Sequence, residues 1–400
     1  MSVVSNRGGR SSSYEDFLGD SYDYNSQTFD ADKAKQEAEE KKERFNIILF
    51  GATGVGKSSL VNAVFGEEIV KSGVGKPVTQ HLSKIKVPKK GMVLWDTKGI
   101  ESKDYEETIN QLKKEIKSSF DNYSHLDDVP HLGWMCIDAS GARVEPRDIE
   151  LIGILKEYDI PIVIVFTKTL EDDTDEFVRE AINEIDSHHG SYVSGNYVCV
   201  NSRERKIGKF TVPVSGLDEL VDSSFKCLPE AKRGAKQALK KAQMVKMGER
   251  LEAMKSGARN IVHGASAAAG AVGASPIPGS DAPLIAAVQS GMIYKINSEF
   301  ELDTSTSTTT SVVAGILGIT AVAQVGKAVV SNALKFIPGV GSLIGGAISA
   351  ATAVALTQAV GHAYIQVLVS YYNKETGIVE LPESTTSILS VFKEHFSFKK

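Results

Sequence analysis

The sequence predicts an α/β domain, with a mostly parallel sheet flanked by helices, followed by an all-α domain rich in Gly and Ala. From Phe45 to about Leu228, short aliphatic runs alternate with longer amphipathic segments, a pattern typical of strands joined by crossover helices. From Ile261 onward Ala and Gly dominate, and two lysines carry the only formal charges between residues 304 and 373. The 400 residues also exceed the usual size of a single domain.

The composition excludes some classes of protein. Lys and Arg total 45 against 50 Asp and Glu, a net charge of -5, so no global basic field attracts nucleic acid. The cysteines Cys136, Cys199 and Cys227 match no disulfide or metal spacing, and the N-terminus lacks an apolar segment of signal-peptide length. We therefore expect a cytoplasmic protein without a nucleic-acid partner.

Composition divides the chain into five predicted segments. Residues 1–44 are rich in Ser, Asp, Glu and Lys and are predicted to form a disordered, charged tail. The α/β domain spans residues 45–228. Residues 229–260 hold nine Lys or Arg and three Glu, a net charge of +6, and are predicted to form a basic linking helix. Residues 261–377 form the helical domain, and residues 378–400 form a C-terminal tail.

Six strands are predicted in the α/β domain. The run at 82–87 alternates Ile and Val with Lys, which suits an edge strand, whereas the run at 160–166 is apolar on both faces, which suits a central one. The predicted strands are Phe45–Phe50, Leu82–Val87, Met92–Trp95, Leu132–Ile137, Ile160–Phe166 and Tyr197–Val200.

A Gly-rich turn directly after the first strand matches G-x-x-x-x-G-K-[ST], in the strand-to-helix context that this phosphate-binding motif requires. Its glycines let backbone amides surround phosphate oxygens, and the following helix presents its positive end. Lys57 neutralises the β and γ phosphates and is the candidate catalytic side chain, while the Ser58 hydroxyl suits Mg²⁺. The candidate nucleotide-binding residues are Gly51, Thr53, Gly54, Val55, Gly56, Lys57, Ser58 and Ser59.

A second motif follows the third predicted strand, where Asp96 and Gly99 fit D-x-x-G. In this motif Asp96 holds the Mg²⁺ shell through water, and the amide of Gly99 senses the γ phosphate. Thr79 lies in the loop between the two motifs and suits a second hydroxyl ligand. The candidate metal ligands are therefore Ser58, Thr79 and Asp96.

These motifs resemble those of the small GTPases of the TrmE-Era-like group, over residues 45–228. The resemblance implies GTP and GDP as ligands, Mg²⁺ as cofactor and GTP hydrolysis as the activity. It places Thr167 and Lys168 at the first two positions of the [NT]-K-x-D element that binds the base. It also places Asn201, Ser202 and Arg203 in the element after the sixth strand, where a backbone amide contacts the base.

One departure from that family concerns the base. Leu170 occupies the position of the Asp that pairs with guanine. Lys168 can still stack its stem beneath a base, but Leu170 accepts no hydrogen bond, and Glu171 or Asp172 would serve only after a shift of the loop. The resemblance thus implies a preference for guanine that is less sharp than usual, and a purine-tolerant NTPase remains open.

Other departures concern hydrolysis. Ile100 follows D-x-x-G, where Ras-like enzymes carry a glutamine that orients water, and Ile makes no hydrogen bond. Gly54 stands where potassium-activated relatives carry Asn. Arg143 is a candidate for an arginine supplied across a dimer, and an ion pair with Glu145 or Asp148 is its structural alternative. We expect slow intrinsic hydrolysis that an activating partner or self-association stimulates.

The C-terminal third permits contact with a membrane. Residues 336–373 carry no formal charge, and this segment is longer than the roughly 20 residues that span a bilayer. Within it, Gly341–Gly345 matches the helix-packing motif G-x-x-x-G. Residues 261–372 resemble the YcjF-like helical domain, through the segments 275–283 and 335–341. That resemblance implies membrane association and no particular reaction.

The sequence thus predicts a Mg²⁺-dependent GTP-binding switch that acts on a membrane-associated helical domain, with an anionic membrane as partner. The basic segment before that domain favours anionic lipid. A different hypothesis is a structural or pore-like membrane protein whose phosphate-binding loop regulates assembly.

Overall fold

The computed structural model describes residues 13–66, 69, 74–77, 82–97, 105–121, 129–141, 144–170, 176–274, 281–302, 311–312, 314–316, 319 and 349–396. The chain forms two compact units. One unit comprises residues 43–250, and the other combines residues 1–42 with residues 251–400.

The strands, in chain order, form one large sheet and three short hairpins. They are β1 (Tyr22–Asp23), β2 (Thr28–Phe29), β3 (Phe45–Phe50), β4 (Val74–Pro77), β5 (Leu82–Val87), β6 (Met92–Thr97), β7 (Leu132–Asp138), β8 (Ile162–Thr167), β9 (Tyr197–Val200), β10 (Arg205–Ile207), β11 (Phe210–Val212), β12 (Tyr372–Asn373) and β13 (Ile378–Val379).

The α-helices of six or more residues within the described part of the chain are numbered in the same way. They are α1 (Ser13–Leu18), α2 (Ala31–Glu40), α3 (Lys57–Phe65), α4 (Tyr105–Asp121), α5 (Pro146–Glu157), α6 (Glu176–Val193), α7 (Leu217–Cys227), α8 (Arg233–Ala242), α9 (Met247–Gly273), α10 (Asp281–Glu299), α11 (Ala350–Ser370) and α12 (Thr385–His395).

The large sheet has seven strands in the order β4-β5-β6-β3-β7-β8-β9. Strands β6, β3, β7, β8 and β9 run parallel, and β5 and β4 continue the sheet in antiparallel pairs. The predicted mostly parallel sheet is therefore confirmed. The run predicted as an edge strand lies one place inside the edge, because β4 pairs outside it. Because these strands are parallel, the carboxyl ends of β3, β6, β7 and β8 lie at one edge of the sheet.

The two faces of the sheet carry separate apolar cores because successive side chains of a strand alternate between faces. Ile47 and Leu49 pack with α3, α7 and α8 on one face. Ile48 and Phe50 pack with α4, α5 and α6 on the other face. The motif residues lie at the carboxyl edge of this sheet, between its two layers of helices.

The predicted linking helix at 229–260 is corrected by the structure. The chain is helical in α8, becomes extended at Gln243, and becomes helical again in α9. Small apolar residues in α8 recur at i, i+3, i+4 and i+7, and bury this helix in the core of the first unit: Ala235, Ala238, Leu239 and Ala242. The α/β unit therefore ends near residue 250 instead of residue 228.

The predicted disordered tail at 1–44 is also corrected. Residues 13–40 form α1, the β1–β2 hairpin and α2, which belong to the helical unit, while residues 1–12 lie outside the described residues. Leu18 and Tyr22 are buried against that unit. Lys295 of α10 donates to the Phe17 carbonyl at 2.6 Å, with its ammonium 3.6 Å from the centre of the Phe17 ring.

The helical unit packs α9, α10, α11 and α12 around one core. Gly361 of α11 lies so close to Val262 of α9 that a Cβ at this position would overlap the valine side chain, which shows how small residues permit close helix packing. The helix-rich region that the composition predicts is confirmed, with the β12–β13 hairpin added. The predicted C-terminal tail is corrected, because Ile388 and Phe392 of α12 are fully buried.

Among the described residues, Ala350–Ser370 is the one helix long and apolar enough to cross a membrane, and 56% of its most apolar window is buried within the protein. Soluble core helices pass the same test of length and composition. The segments 275–280 and 335–348, which carry most of the predicted C-terminal motifs, lie outside the described residues.

Candidate functional site

An open cleft of about 550 Å³ lies at the carboxyl edge of the large sheet. This is the edge where doubly wound folds bind ligands. The cleft is lined by eleven of the residues that the sequence predicted: Thr53, Gly54, Gly56, Lys57, Ser58, Ser59, Asp96, Thr167, Lys168, Ser202 and Arg203.

Glycines shape the loop between β3 and α3. Gly51, Gly54 and Gly56 have φ values of 136°, 80° and 103°, which lie in the region that favours glycine. A Cβ on Gly51 would collide with the backbone carbonyl of Cys136, whereas a Cβ on Gly54 would meet open space. Gly51 therefore permits the close approach of the loop after β3 to strand β7. Gly54 lines the cleft and adopts a backbone conformation that favours glycine.

Lys57 begins α3 and is almost fully buried. Its ammonium donates to the carbonyl oxygens of Gly51 at 2.7 Å and Ala52 at 3.0 Å, which folds the side chain back over the loop. Burial lowers the pKa of Lys57, while the nearby Cys136 and Asp96 act in the opposite direction. The cleft therefore holds a partly desolvated cation at the N-terminus of a helix, an arrangement that attracts anions.

Asp96 stands near the end of β6 and faces the same cleft as Ser58. Burial raises the pKa of the Asp96 carboxyl, and the positive charge of Lys57 opposes the increase. A carboxylate and a hydroxyl are the oxygen ligands that Mg²⁺ accepts alongside phosphates and water. These two side chains fit a Mg²⁺ ion shared with a bound phosphate.

Thr167 and Lys168 connect the end of β8 to its neighbours. The Thr167 hydroxyl contacts the carbonyl oxygens of Val55 at 2.6 Å and Ile137 at 3.2 Å, so this buried threonine fixes the phosphate-binding loop. Lys168 adopts a left-handed φ of 58° and donates to Asp138 Oδ2 at 2.5 Å. The stem of Lys168 therefore lies across the end of the strand, half-buried at the wall of the cleft.

The loop after β9 completes the cleft. Asn201 is buried, and its Nδ2 donates to the Pro213 carbonyl at 2.6 Å, which anchors the loop to the end of the β10–β11 hairpin. Ser202 and Arg203 follow it into the cleft. Arg205, on β10, also lines the cleft and donates from Nη1 to the Lys168 carbonyl at 3.0 Å.

Several predicted residues stand elsewhere. Gly51 and Val55 act through their backbone, as acceptors for Lys57 and Thr167. Thr79 and Gly99 lie outside the described residues, as do Ile100, Arg143, Glu171 and Asp172. Leu170 is described, and 54% of its surface is exposed.

Asn201, which the resemblance names with Ser202 and Arg203, also lines the cleft. The prediction assigned no role to three further residues of the lining: Thr97, Ser140 and Arg205. Thr97 is the second residue of D-x-x-G, so it was visible as part of a known motif. Arg205 reaches the cleft through a hydrogen bond to a residue 37 positions away, for which the sequence carries no local signal.

The sheet topology, the glycine loop and the buried lysine at the start of α3 together define a P-loop nucleotide-binding protein. Residues 46–168 match the family described as 50S ribosome-binding GTPase, and residues 237–392 match the Domain of unknown function (DUF697). The chain is therefore similar to a P-loop GTPase over residues 46–168 and to a domain of unknown function over residues 237–392.

A curated relative and two solved structures are similar to the first domain. The probable GTP-binding protein EngB of Koribacter versatilis (strain Ellin345) is 32% identical over 126 residues, which are 30% of this chain and 61% of that protein. A crystal structure of a probable GTP-binding protein EngB is 20% identical, with a TM-score of 0.33, and the match covers 46% of this chain and 97% of that one. Era of Aquifex aeolicus bound to GDP.AlF4- is 22% identical, with a TM-score of 0.31, covering 47% and 57%.

Proposed function

We propose that this protein binds GTP with Mg²⁺, hydrolyses it slowly, and uses the nucleotide state as a switch on its helical unit. The observation that carries the proposal is the arrangement of the cleft, where the P-loop, Asp96, Thr167, Lys168 and Ser202 meet at one edge of the sheet. The match of residues 46–168 to a GTPase family supports GTP as the nucleotide.

Each part of the cleft has a separate task in this proposal. Lys57 and the backbone amides of the loop bind the β and γ phosphates. Ser58 and Asp96 hold Mg²⁺, which when bound neutralises the charge on the phosphates, and Thr79 is the further ligand expected from the sequence. Thr167 fixes the loop against β8, and Lys168 supports the base. Lys57 is the one catalytic side chain that we assign.

The expected rate of hydrolysis is low because Ile100, at the position after D-x-x-G, orients no water molecule. We expect single-turnover hydrolysis of GTP by the full chain to be slow in dilute protein and to accelerate with protein concentration, if self-association supplies the missing group, or with an activating partner. The measurement is the single-turnover rate across protein concentration. Rapid turnover that is independent of concentration would contradict the proposal, because it requires a catalytic group within one chain.

The polypeptide chain joins the nucleotide-binding unit to the helical unit at two places. The chain passes from one unit to the other between Lys42 and Glu43 and again between Arg250 and Leu251. A change at the nucleotide site therefore has two routes of chain along which it reaches the helical unit.

We propose that the helical unit associates with an anionic membrane, and that the protein is otherwise cytoplasmic. The apolar helix Ala350–Ser370 supports membrane contact by the helical unit, and the +6 charge of residues 229–260, most of which belong to the α/β unit, supports attraction of the protein to anionic lipid. We expect the full chain to float with anionic liposomes at low salt; release at high salt would assign binding to the basic segment, and retention would assign it to insertion. Absence of flotation at both salt concentrations, with GTP or GDP, would contradict membrane association.

A structural or pore-like role is the competing proposal. This proposal also places the apolar helix Ala350–Ser370 in the membrane, but it predicts oligomers that form in lipid without nucleotide. Cross-linking in liposomes with and without GTP separates the two, because a switch requires the nucleotide to change the outcome.

A further inference from the structure

An acidic segment near the N-terminus packs on the helical unit, although the whole α/β unit separates the two in the sequence. We call residues 13–40 the N-terminal strap. The strap holds nine Asp or Glu and two Lys, a net charge of -7, so the rest of the chain carries a net charge of +2. It leads through residues 41–44 directly into β3. The strap is therefore a distinct segment that four residues join to the strand before the P-loop.

A groove between α9 and α10 receives the tip of the strap. We call it the strap groove and define it by Gly264 of α9 with Gly291 and Lys295 of α10. The Phe17 ring lies 3.8 Å from where a Cβ on Gly264 would stand, and 3.7 Å from the same position on Gly291. Leu18 is 1% exposed and lies 3.8 Å from that Gly291 position. Two adjacent apolar side chains of the strap thus fill the space that the glycines leave.

Lys295 lies against Phe17 in this groove. Its ammonium donates to the Phe17 carbonyl oxygen at 2.6 Å and lies 3.6 Å from the centre of the Phe17 ring. Burial lowers the pKa of Lys295 to about 8, with Lys41 acting in the same direction and Glu37 opposing it. The docked strap therefore shields a cation from water, which costs free energy and offsets part of the gain from packing Phe17 and Leu18.

Behind its tip, the strap lies along α10 through ring and main-chain contacts. The Phe29 ring stacks on the Tyr294 ring, with the two centroids 6.3 Å apart. Just after the strap, Lys42 donates to the Ser298 carbonyl oxygen at 2.6 Å. The strap and the groove are carried by every copy of the chain. The strap of a second copy therefore presents the same groups to the groove.

We propose that the strap groove is a self-association site, in which the strap of one copy docks between α9 and α10 of a second copy. This occupant is the one whose fit the structure shows, and its exchange between identical copies reproduces each of these contacts. Within one copy the tether gives the strap a high effective concentration, so the exchanged form gains population as the protein concentration rises.

Strap exchange has a consequence for the α/β units. Each exchanged strap tethers the α/β unit of one copy to the helical unit of the other through residues 41–44. Exchange thereby supplies the self-association that would stimulate hydrolysis. That effect on hydrolysis rests on the proposed function, whereas docking of the strap involves no nucleotide.

The test is complementation between two full-length variants. Gly291→Leu fills the groove where the Phe17 ring lies and keeps the strap intact, whereas Phe17→Ala with Leu18→Ala removes the tip and keeps the groove free. Only the mixture can form a complete strap contact, so we expect it to associate at least about tenfold more tightly than either variant alone. Sedimentation velocity measures association, and hydrogen exchange of residues 13–40 measures docking of the strap.

Gly291→Ala is the matched control, because a methyl group at this position makes ordinary contact with the Phe17 ring and leaves the strap docked. Its mixture with the variant that lacks the tip should associate no more tightly than the wild type. Lys295→Glu is a second way to free the strap, since it removes the donor to the Phe17 carbonyl and repels the acidic segment. Hydrogen exchange of α9 and α10 reports whether each variant is folded.

Three outcomes would overturn the inference. The first is wild-type protection of the strap in both Gly291→Leu and Lys295→Glu, which would show that the groove does not hold it. The second is a freed strap without association in the mixture; flotation of the variant that lacks the tip with anionic liposomes, above the wild-type level, would then assign the groove to lipid. The third is association of Gly291→Leu alone as tight as that of the mixture, which would place self-association elsewhere.

The complementation test is independent of the nucleotide. Failure of strap exchange leaves the proposed GTP binding intact, because no readout of the test includes a nucleotide. Failure of the full chain to bind GTP would contradict the proposed function and leave the result of the mixture unchanged.

Discussion

Lys57→Ala is expected to weaken the binding of Mg²⁺-GTP by at least about 100-fold, because in the proposed function this ammonium bridges the β and γ phosphates through charge-assisted hydrogen bonds. Lys57 is nearly buried at the start of α3 and bonds to the carbonyls of Gly51 and Ala52. The other cations that line the cleft in the described residues, Lys168, Arg203 and Arg205, follow strands β8 and β9, whereas Lys57 begins α3 at the P-loop. They cannot neutralise the β and γ phosphates in its place.

Isothermal titration calorimetry with the full chain measures this loss directly. Lys226→Ala is the matched control, because Lys226 is an exposed lysine of α7 in the same unit, and its removal changes the net charge by the same amount. Lys57→Met separates binding from folding, since it keeps the buried stem and removes the ammonium. Affinity for GTP that is unchanged in both Lys57 variants would place the nucleotide outside the P-loop.

The sequence predicted the parts of the α/β unit that depend on local pattern. Phe45–Phe50 has the predicted bounds because six consecutive apolar or amide side chains are followed at once by glycine. The P-loop was equally local, since its glycines and Lys57 occur within eight residues. Strand β4 was missed because Val74–Pro77 contains a glycine and a proline, and neither residue is typical of a strand.

The predictions that were wrong concern segments whose packing surface is provided by residues distant in the sequence. Residues 13–40 have few apolar side chains, and composition alone predicts that they stay disordered. Leu18 and Tyr22 are nevertheless buried and Phe17 is partly buried. Part of the partner surface comes from α10, where Gly291 leaves room for Phe17, whose ring lies 3.7 Å from where a Cβ would stand. The sequence around residue 17 gives no indication that Phe17 packs beside a glycine at residue 291.

The break within residues 229–260 was missed for a related reason. Gln243 uses its side-chain oxygen to accept from the amides of Val245 at 2.8 Å and Lys246 at 2.7 Å, which stabilises the turn that ends α8. Glutamine is common in helix interiors, so its presence does not predict an end to a helix. The spacing of the alanines in α8 indicates an apolar face, but it does not indicate that this face packs on the sheet.

Asp96→Asn is expected to raise the Mg²⁺ concentration needed for half-maximal GTP hydrolysis by about tenfold or more, because it removes the charge that attracts the cation and keeps the shape of the side chain. Asp96 is half-buried beside Lys57, with its pKa raised by burial and lowered by that ammonium. A neutral amide at this place leaves the positive charge of Lys57 uncompensated, so the affinity for GTP without Mg²⁺ should not fall.

Single-turnover hydrolysis titrated with Mg²⁺, together with GTP binding in EDTA, distinguishes these two effects. Asp222→Asn is the matched control, because Asp222 is a half-buried carboxylate of α7 that pairs with Lys246 at 2.5 Å and lies outside the cleft lining. A wild-type Mg²⁺ dependence in Asp96→Asn would assign the cation to other ligands. Loss of GTP binding in EDTA would show instead that Asp96 supports the P-loop, since a carboxylate that only holds Mg²⁺ has no role when the metal is removed.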